Sequence, residues 1–490
     1  MTDKVSLGLL ATGVPGLDEL LGGGLSEFAF TLIAGAPGSG KTTLAHQIMF
    51  ALATEQRKAL FFTVLGEPPL KMLRYQQQYS FFDLDKVGTC VRYVNLAEDL
   101  RSGDFSGVLE RIMREVEDFS PSLVFVDSFR SVVQTARTGN EGAADLQQFV
   151  QELGTRMTSW QATTFLIGEY VENDPVPNPI MTVADGMLLL SHAQEENSVI
   201  RKIRVFKMRG QAHITGAHVF RISGDGLHVF PRVLPPVATD HVYPGQDTDT
   251  NPRRIPSGTP GLDDLLHGGI PQGHSLLISG PTGCGKTIFG TRFLYEGAQR
   301  GEKGVLVSFE KGAARLRNAQ LAAMVRQGDV AVVESRSLDL TVEELLDDLL
   351  RTIERTGATR IVIDAISELG LYLAPEARRD IRGAMFRVLS SLAKLGVTVV
   401  VTLGMEDRFT DLRFSHSDIA YLTDVVLAMR YVEKDGALHR VISVIKVRGS
   451  DHSHDLREFR ITDAGIEVSA TPLAAQGVLV GQPGPNGQQD

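Results

Sequence analysis

Short apolar runs punctuate the chain in two sets: Leu60–Val64, Leu123–Val126 and Phe165–Ile167, then Val305–Phe309, Ile361–Ile363 and Val397–Leu403. None alternates strictly with polar residues. Each therefore reads as a strand buried on both faces, as in a parallel sheet covered by helices. Helical spacing appears beside them, since Ala45, Ile48, Met49 and Leu52 follow the i, i+3, i+4, i+7 rhythm of a helix laid on a sheet. The expected class is α/β, with a mostly parallel sheet flanked by helices in each half.

The halves are copies. TGVPGLDELLGGGL from Thr12 returns as SGTPGLDDLLHGGI from Ser257, 245 residues on and identical at nine of fourteen positions, and GAPGSGKT from Gly35 returns as GPTGCGKT from Gly280 at the same offset. Asp127 in SLVFVDS pairs with Asp364 in TRIVIDA at 237, and Lys207 in KMRG with Lys446 in KVRG at 239. Two long matches at one offset identify an internal repeat. The repeat predicts a first domain over 1–230, a Pro-, Asp- and Thr-rich linker over 231–254, a second domain over 255–468, and a Gly-, Pro- and Gln-rich tail over 469–490.

Both octapeptides fit GxxxxGK[ST], the phosphate-binding loop. Glycines let successive backbone N–H groups wrap a phosphate, and the loop opens a helix whose N-terminus favours anions. The cradles comprise Gly35, Pro37, Gly38, Ser39, Gly40, Lys41, Thr42 and Thr43, and Gly280, Thr282, Gly283, Cys284, Gly285, Lys286, Thr287 and Ile288. Lys41 and Lys286 are expected to reach the β- and γ-phosphates of ATP, with the Thr42 and Thr287 hydroxyls on Mg²⁺. TLIAG and SLLISG ahead of the loops read as strands. Asp127 and Asp364 end apolar strands, where a P-loop protein holds magnesium through water. Hydrolysis also needs a carboxylate that orients the attacking water; Glu67 in TVLGEPP and Glu310 in LVSFEKG are the candidates. Cys284 reads as a small side chain accommodated in its loop.

Charge and composition narrow the rest. A net charge of −10 repels phosphate backbones and disfavours a general nucleic-acid binder. Two cysteines, Cys90 and Cys284, cannot form a disulfide framework, and no apolar stretch approaches the roughly 20 residues of a membrane span. The cytoplasm is the expected compartment. His452 and His454 have no third ligand at metal spacing nearby. RYQQQYSFF from Arg74 carries groups able to stack on bases, but reads as a helix face and the following turn.

With PGLDELLGGG before the P-loop, the acidic position after the next strand, the Asp strand and the late KxRG, each present twice, the chain resembles the circadian clock KaiC family of RecA-type P-loop ATPases from Thr12 to about Glu467. The resemblance implies two tandem RecA-like domains and a hexameric ring with ATP between subunits. Lys207 and Arg209, and again Lys446 and Arg448, would then come from the adjoining subunit to the phosphates. It implies serine/threonine autokinase activity, and a protein regulator at the tail. The chain also departs from the pattern. The family's paired glutamates stand here as Gly66 and Glu67, and as Glu310 and Lys311, which favours Glu310 as the base over Glu67. The adjacent Ser and Thr acceptors stand as Ala420 and Tyr421, with Thr423, Ser415 and Ser417 as nearby hydroxyls. Two other readings stay open: a DNA-dependent RecA-type ATPase, and a non-hydrolysing assembly scaffold.

Overall fold

The computed structural model describes residues 8–63, 69–101, 105–127, 140–169, 183–195, 198–232, 253–309, 318–334, 339–404, 419–434, 436–463 and 465–473. Gly66, Glu67, Glu310, Lys311, Ser415 and Ser417 lie outside them, as do most of the 231–254 segment and residues 474–490. The chain divides into two compact units between Arg232 and Val233.

In the first unit β1 (Leu9–Leu10) pairs with β2 (Leu25–Ser26). A sheet follows, built among the described residues from nine strands: β3 (Phe30–Gly35), β4 (Ala59–Thr63), β5 (Val91–Asn95), β6 (Leu123–Asp127), β7 (Thr163–Glu169), β8 (Gly186–Glu195), β9 (Ser198–Met208), β10 (Ala217–Ser223) and β11 (Gly226–Phe230). Their order is β11-β10-β9-β8-β3-β7-β6-β4-β5. From β8 to β5 every neighbour is parallel, and from β8 to β11 every neighbour is antiparallel.

The second unit repeats this plan. β12 (Arg254–Ile255) pairs with β13 (Ile270–Pro271), ahead of β14 (Ser275–Gly280), β15 (Gly304–Ser308), β16 (Val330–Glu334), β17 (Arg360–Asp364), β18 (Thr398–Gly404), β19 (Val425–Lys434), β20 (Ala437–Val447), β21 (Arg457–Thr462) and β22 (Gly465–Pro472). The order β16-β15-β17-β18-β14-β19-β20-β21-β22 mirrors the first sheet strand for strand. The antiparallel extension is a feature the apolar runs do not reveal. Its strands β9 and β10 in the first unit are only partly buried, so their pattern is broken by polar residues. A turn of two residues joins β10 to β11, and a connection that short forces antiparallel pairing.

The parallel strands are apolar throughout because both faces are covered. Leu32, Phe62, Val124 and Leu166 pack with Val108, Ile112 and Val116 of helix Phe105–Phe119 and Phe149, Leu153 and Met157 of helix Asn140–Ser159. Their chain neighbours Ile33, Phe61, Phe125 and Ile167 point the other way, onto Leu44, Ile48 and Met49 of helix Lys41–Leu52. The second unit divides likewise. Val307, Ile363 and Val401 meet helices Val342–Thr356 and Ile381–Lys394, while Leu306, Val362 and Val400 meet helix Lys286–Gln299. Each such side chain stabilises the unit by roughly 1.5–3 kcal/mol. P-loop strands β3 and β14 are therefore clamped at the middle of their sheets.

The PGLD motif has a folding role. Asp18 Oδ1 accepts from the Thr12 N–H at 2.8 Å, and Asp263 Oδ1 from the Ser257 N–H at 2.9 Å. In each copy this carboxylate folds the chain entering the domain back over the short helix that begins at Leu17 or Pro260.

Candidate functional site

β3 ends at Gly35, and after a five-residue loop the helix begins at Lys41; β14, Gly280 and Lys286 repeat the arrangement. The residue before each lysine has a backbone that L side chains resist, with φ of 102° at Gly40 and 111° at Gly285. Space is short there too: a Cβ on Gly40 would lie 2.8 Å from Ile222 Cδ1, and one on Gly285 3.1 Å from Ile461 Cδ1. Pro37, Gly38, Thr282 and Gly283 face outward, and a Cβ on Gly38 would meet nothing within 4 Å. The first loop is thus tight underneath and open above, whereas in the second a Cβ on Gly283 would lie 3.3 Å from the Tyr431 hydroxyl.

Inside the first cradle Lys41 is 8% exposed and its Nζ donates to Ala36 O at 2.8 Å. Burial pushes its pKa down, and the carboxylates of Glu169 and Asp127 oppose that. Thr42 Oγ1 donates to Asp127 Oδ2 at 2.7 Å, so the loop hydroxyl and the strand-end carboxylate converge as two hard oxygen donors, the donor set suited to Mg²⁺. The Ser39 hydroxyl is buried without a hydrogen-bond partner. Thr43 is half-buried behind them. The residues present fit a magnesium nucleotide.

The second cradle differs in detail. Lys286 Nζ donates to Gly280 O and Pro281 O, both at 2.8 Å, and Thr287 is exposed while Ile288 is half-buried. Asp364 Oδ1 accepts from Thr402 Oγ1 of β18. By strand register the first-unit counterpart of Thr402 is Ile167, which has no hydroxyl to give. Cys284 replaces Ser39; its thiol is fully buried, 3.8 Å from Met429 Sδ, and burial pushes its pKa up.

The basic pairs lie elsewhere. Lys207 pairs through Met187 with Leu32, and Lys446 pairs with Val426, which is level with Leu277. These levels fall three residues, about 10 Å, before the strand ends that carry the P-loops. Lys446 Nζ reaches further away still, donating to Ala420 O at 3.1 Å and Thr423 O at 2.6 Å, both ahead of β19. Arg209 and Arg448 follow one residue beyond the ends of β9 and β20. Burial pushes Lys207 and Lys446 down, each helped by its arginine neighbour and opposed by Asp185 or Asp424. Each unit therefore carries its cradle at one end of the parallel strands and its cation pair toward the other.

Sequence reasoning missed three acidic residues. Glu169 ends β7 in register with Gly35, beside Lys41; its signal was a carboxylate closing the apolar run TTFLIG. Asp185 and Asp424 bond to Arg209 and Arg448, and the offset of 239 shared with the KxRG pairs marked them. The proposed acceptor region is plain as well: Thr423 is fully buried and its hydroxyl donates to Ala420 O. Among the described residues no group of three or more His, Cys, Asp or Glu side chains is arranged to hold a metal ion, His452 and His454 included, and no helix is long and apolar enough to cross a membrane.

Known proteins resemble this chain along its length. The family model for the KaiC ATPase matches residues 10–233 and again 255–472. The circadian clock oscillator protein KaiC of Picosynechococcus sp. is 27% identical over 492 residues, spanning 97% of this chain and 92% of the relative. That of Rippkaea orientalis is 27% identical, covering 97% and 91%, and KaiC 1 of Synechocystis sp. is 26% identical with the same coverage. Both repeats being matched in turn, the chain belongs to the KaiC family of ATPases.

Proposed function

We propose that this KaiC-family ATPase works as a homo-oligomeric ring, with MgATP held in each cradle and completed by a neighbour's cations. The observation that carries the reading is the separation of the two groups. Lys207 with Arg209, and Lys446 with Arg448, stand toward the strand ends opposite their own P-loops, and no rotamer of a lysine or arginine spans that gap. A second copy packed head to tail would bring one subunit's cations to the next subunit's nucleotide, and such heterologous contacts give a ring where the rotation between subunits closes. We take the ring to be a hexamer, as the resemblance implies.

In the cradle, Gly35–Thr43 and Gly280–Ile288 would wrap the phosphates with backbone N–H groups, and Lys41 and Lys286 would neutralise the β- and γ-oxygens. Thr42 with Asp127, and Thr287 with Asp364, would hold Mg²⁺, which offsets charge on the transferring phosphoryl group. Glu310 is our choice for the water-orienting base, with Glu67 as its weaker first-unit substitute. Lys207, Arg209, Lys446 and Arg448 would stabilise the transition state from the adjoining subunit. The output we assign is signalling or timing in the cytoplasm, where the buried free cysteines Cys90 and Cys284 stay reduced.

Autophosphorylation at the family's serine/threonine acceptors has little support in the residues. Ala420 has no hydroxyl, and that of Thr423 is sealed in. Mass in solution with and without MgATP, ADP release, and incorporation of labelled phosphate test the whole reading together. Ring formation and ADP release without label are expected. A monomer that turns over ATP refutes the neighbour's role, and label on a serine or threonine restores the kinase.

A further inference from the structure

Arg209 and Arg448 are more than half exposed, at 57% and 52% of the side chain, yet each guanidinium is paired with an aspartate of its own unit. We propose that Asp185 and Asp424 are positioning residues that fix these arginines for the neighbouring subunit's nucleotide. The inference rests on the ring reading given above.

The two copies build the same device from residues 239 apart. Asp185 N–H donates to Phe30 O at 2.8 Å, and Phe30 N–H returns a bond to Asp185 Oδ2 at 3.1 Å. The other oxygen, Oδ1, accepts from Arg209 Nη1 at 3.0 Å, while Arg209 N–H donates to Asp185 O at 2.9 Å. In the second unit Asp424 N–H donates to Ser275 O at 3.0 Å, and Asp424 Oδ2 accepts from Ser275 N–H at 3.0 Å and Ser275 Oγ at 2.8 Å. Its Oδ1 accepts from Arg448 Nη1 at 3.2 Å, and Arg448 N–H donates to Asp424 O at 2.8 Å. Each carboxylate thus has one oxygen bound to the start of the P-loop strand, a rigid element of the sheet, and one on the arginine.

A guanidinium has five N–H donors in a planar fork. In the second unit Arg448 Nη2 also donates to Tyr421 O at 3.4 Å. Anchoring the fork in this way removes the need to order a long side chain on each turnover, the part of catalysis that positioning supplies. An exposed ion pair adds little to fold stability. Recurrence of the whole constellation in both copies, at the positions bearing the cations, argues for a positioning role.

The test uses the full-length protein with Lys41→Ala throughout, so that only second-unit turnover is read, and compares Asp424→Asn with the parent. Asparagine keeps an acceptor for Ser275 and loses the charge that aims Arg448. The expected result is a ring of unchanged mass, ATP affinity within about threefold, and kcat lower by about 10- to 100-fold, below the 10³–10⁵ range of losing an arginine finger outright. Mixing Asp424→Asn subunits with Lys286→Ala subunits should then restore turnover, because an intact cradle meets an intact, anchored arginine across some interfaces. Asp185→Asn in a Lys286→Ala background repeats the test in the first unit and stands in if Asp424→Asn does not fold. Intact rings with unchanged kcat overturn the inference, as do parallel losses of affinity and melting temperature without rescue on mixing. A parent protein that turns over as a monomer overturns the ring reading instead.

Discussion

Arg360 opens β17, whose other end is Asp364, and it is 1% exposed. Its Nε donates to Glu302 Oε2, its Nη1 donates to Pro256 O at 2.9 Å and Phe293 O at 3.0 Å, and its guanidinium lies 4.7 Å from the Phe293 ring centre. Phe293 belongs to the helix that begins at Lys286, so this one side chain ties the P-loop helix to the acidic strand at the ends remote from the nucleotide. The first unit solves the same junction without charge. There Leu123 stands at the position of Arg360 and Leu52 at that of Gly297, both in one apolar cluster. Gly297 exists because the arginine needs the room: a Cβ on it would lie 2.6 Å from Arg360 Cδ.

Removing one partner of a buried ion pair costs about 3–5 kcal/mol when the other charge stays sealed. Glu302 is 30% exposed and can rehydrate, so Arg360→Leu falls at the low end. Pro256 O left without this donor costs about 1.5 kcal/mol, the second bond lost at Phe293 O, which keeps its partner within the helix, about 1 kcal/mol, and the lost ring contact about 0.5 kcal/mol, which together give about 3 kcal/mol. Gly297→Leu alone should cost about 1–3 kcal/mol from overpacking. Together they import the first unit's solution, and the double variant should be more stable than Arg360→Leu alone by about 1 kcal/mol, a coupling typical of touching residues. Urea unfolding followed by circular dichroism measures this. Trp160, the only tryptophan, reports the first unit by fluorescence and should keep its midpoint. Arg360→Leu within about 1 kcal/mol of the parent, or a double variant as unstable as the sum of the singles, would contradict this role for Arg360.

Two further outcomes follow from buried polar side chains. His46 is sealed between Phe61 and Tyr93, its Nδ1 2.7 Å from Thr42 O, and burial pushes its pKa from 6.5 down to about 4. The unfolded chain takes a proton below pH 6.5 that the folded chain refuses until about pH 4. First-unit stability therefore rises with pH across that window, and about 2 kcal/mol is lost at pH 5 and about 3 kcal/mol by pH 4. The Trp160 urea midpoint at pH 7 and pH 5 measures it, and His46→Phe should flatten the difference; an equally steep His46→Phe profile would assign it to other groups. Thr402→Val removes the donor to Asp364 Oδ1 and should weaken MgATP binding to the second unit about fivefold, less than the full value of a charged hydrogen bond. Titration of a fluorescent ATP analogue in a Lys41→Ala background, with magnesium and with EDTA, reads this. A loss that persists in EDTA would mean Thr402 acts on the fold and not on the metal side.

The cradles were legible because their chemistry demands contiguous residues: glycines at fixed offsets, then the lysine, then the hydroxyl. Strands β4, β6, β7, β15, β17 and β18 were legible because burial on both faces leaves an unbroken apolar run. Contacts assembled by register across the sheet were not. Phe30 and Asp185 are 155 residues apart, Thr402 and Asp364 are 38 apart, and no local pattern joins them. Strands β9 and β10 escaped notice because half-buried strands carry a diluted apolar signal.

Repetition itself has to be read with care, since PGLD recurs as faithfully as the P-loop and its aspartate only folds back the entering chain. In a duplicated chain a shared residue marks what both copies need, for folding or for chemistry, and position decides which: the strand ends carry the chemistry. The differences follow the same logic. Leu52 and Leu123 against Gly297 and Arg360 exchange one packing solution for another, away from the cradle. Ser39 against Cys284, and Ile167 against Thr402, fall beside the loop lysine and the strand-end carboxylate, one of which gains a buried hydroxyl in the second unit only. The two cradles are therefore expected to differ in how they hold magnesium and nucleotide, though the sheets around them are alike strand for strand.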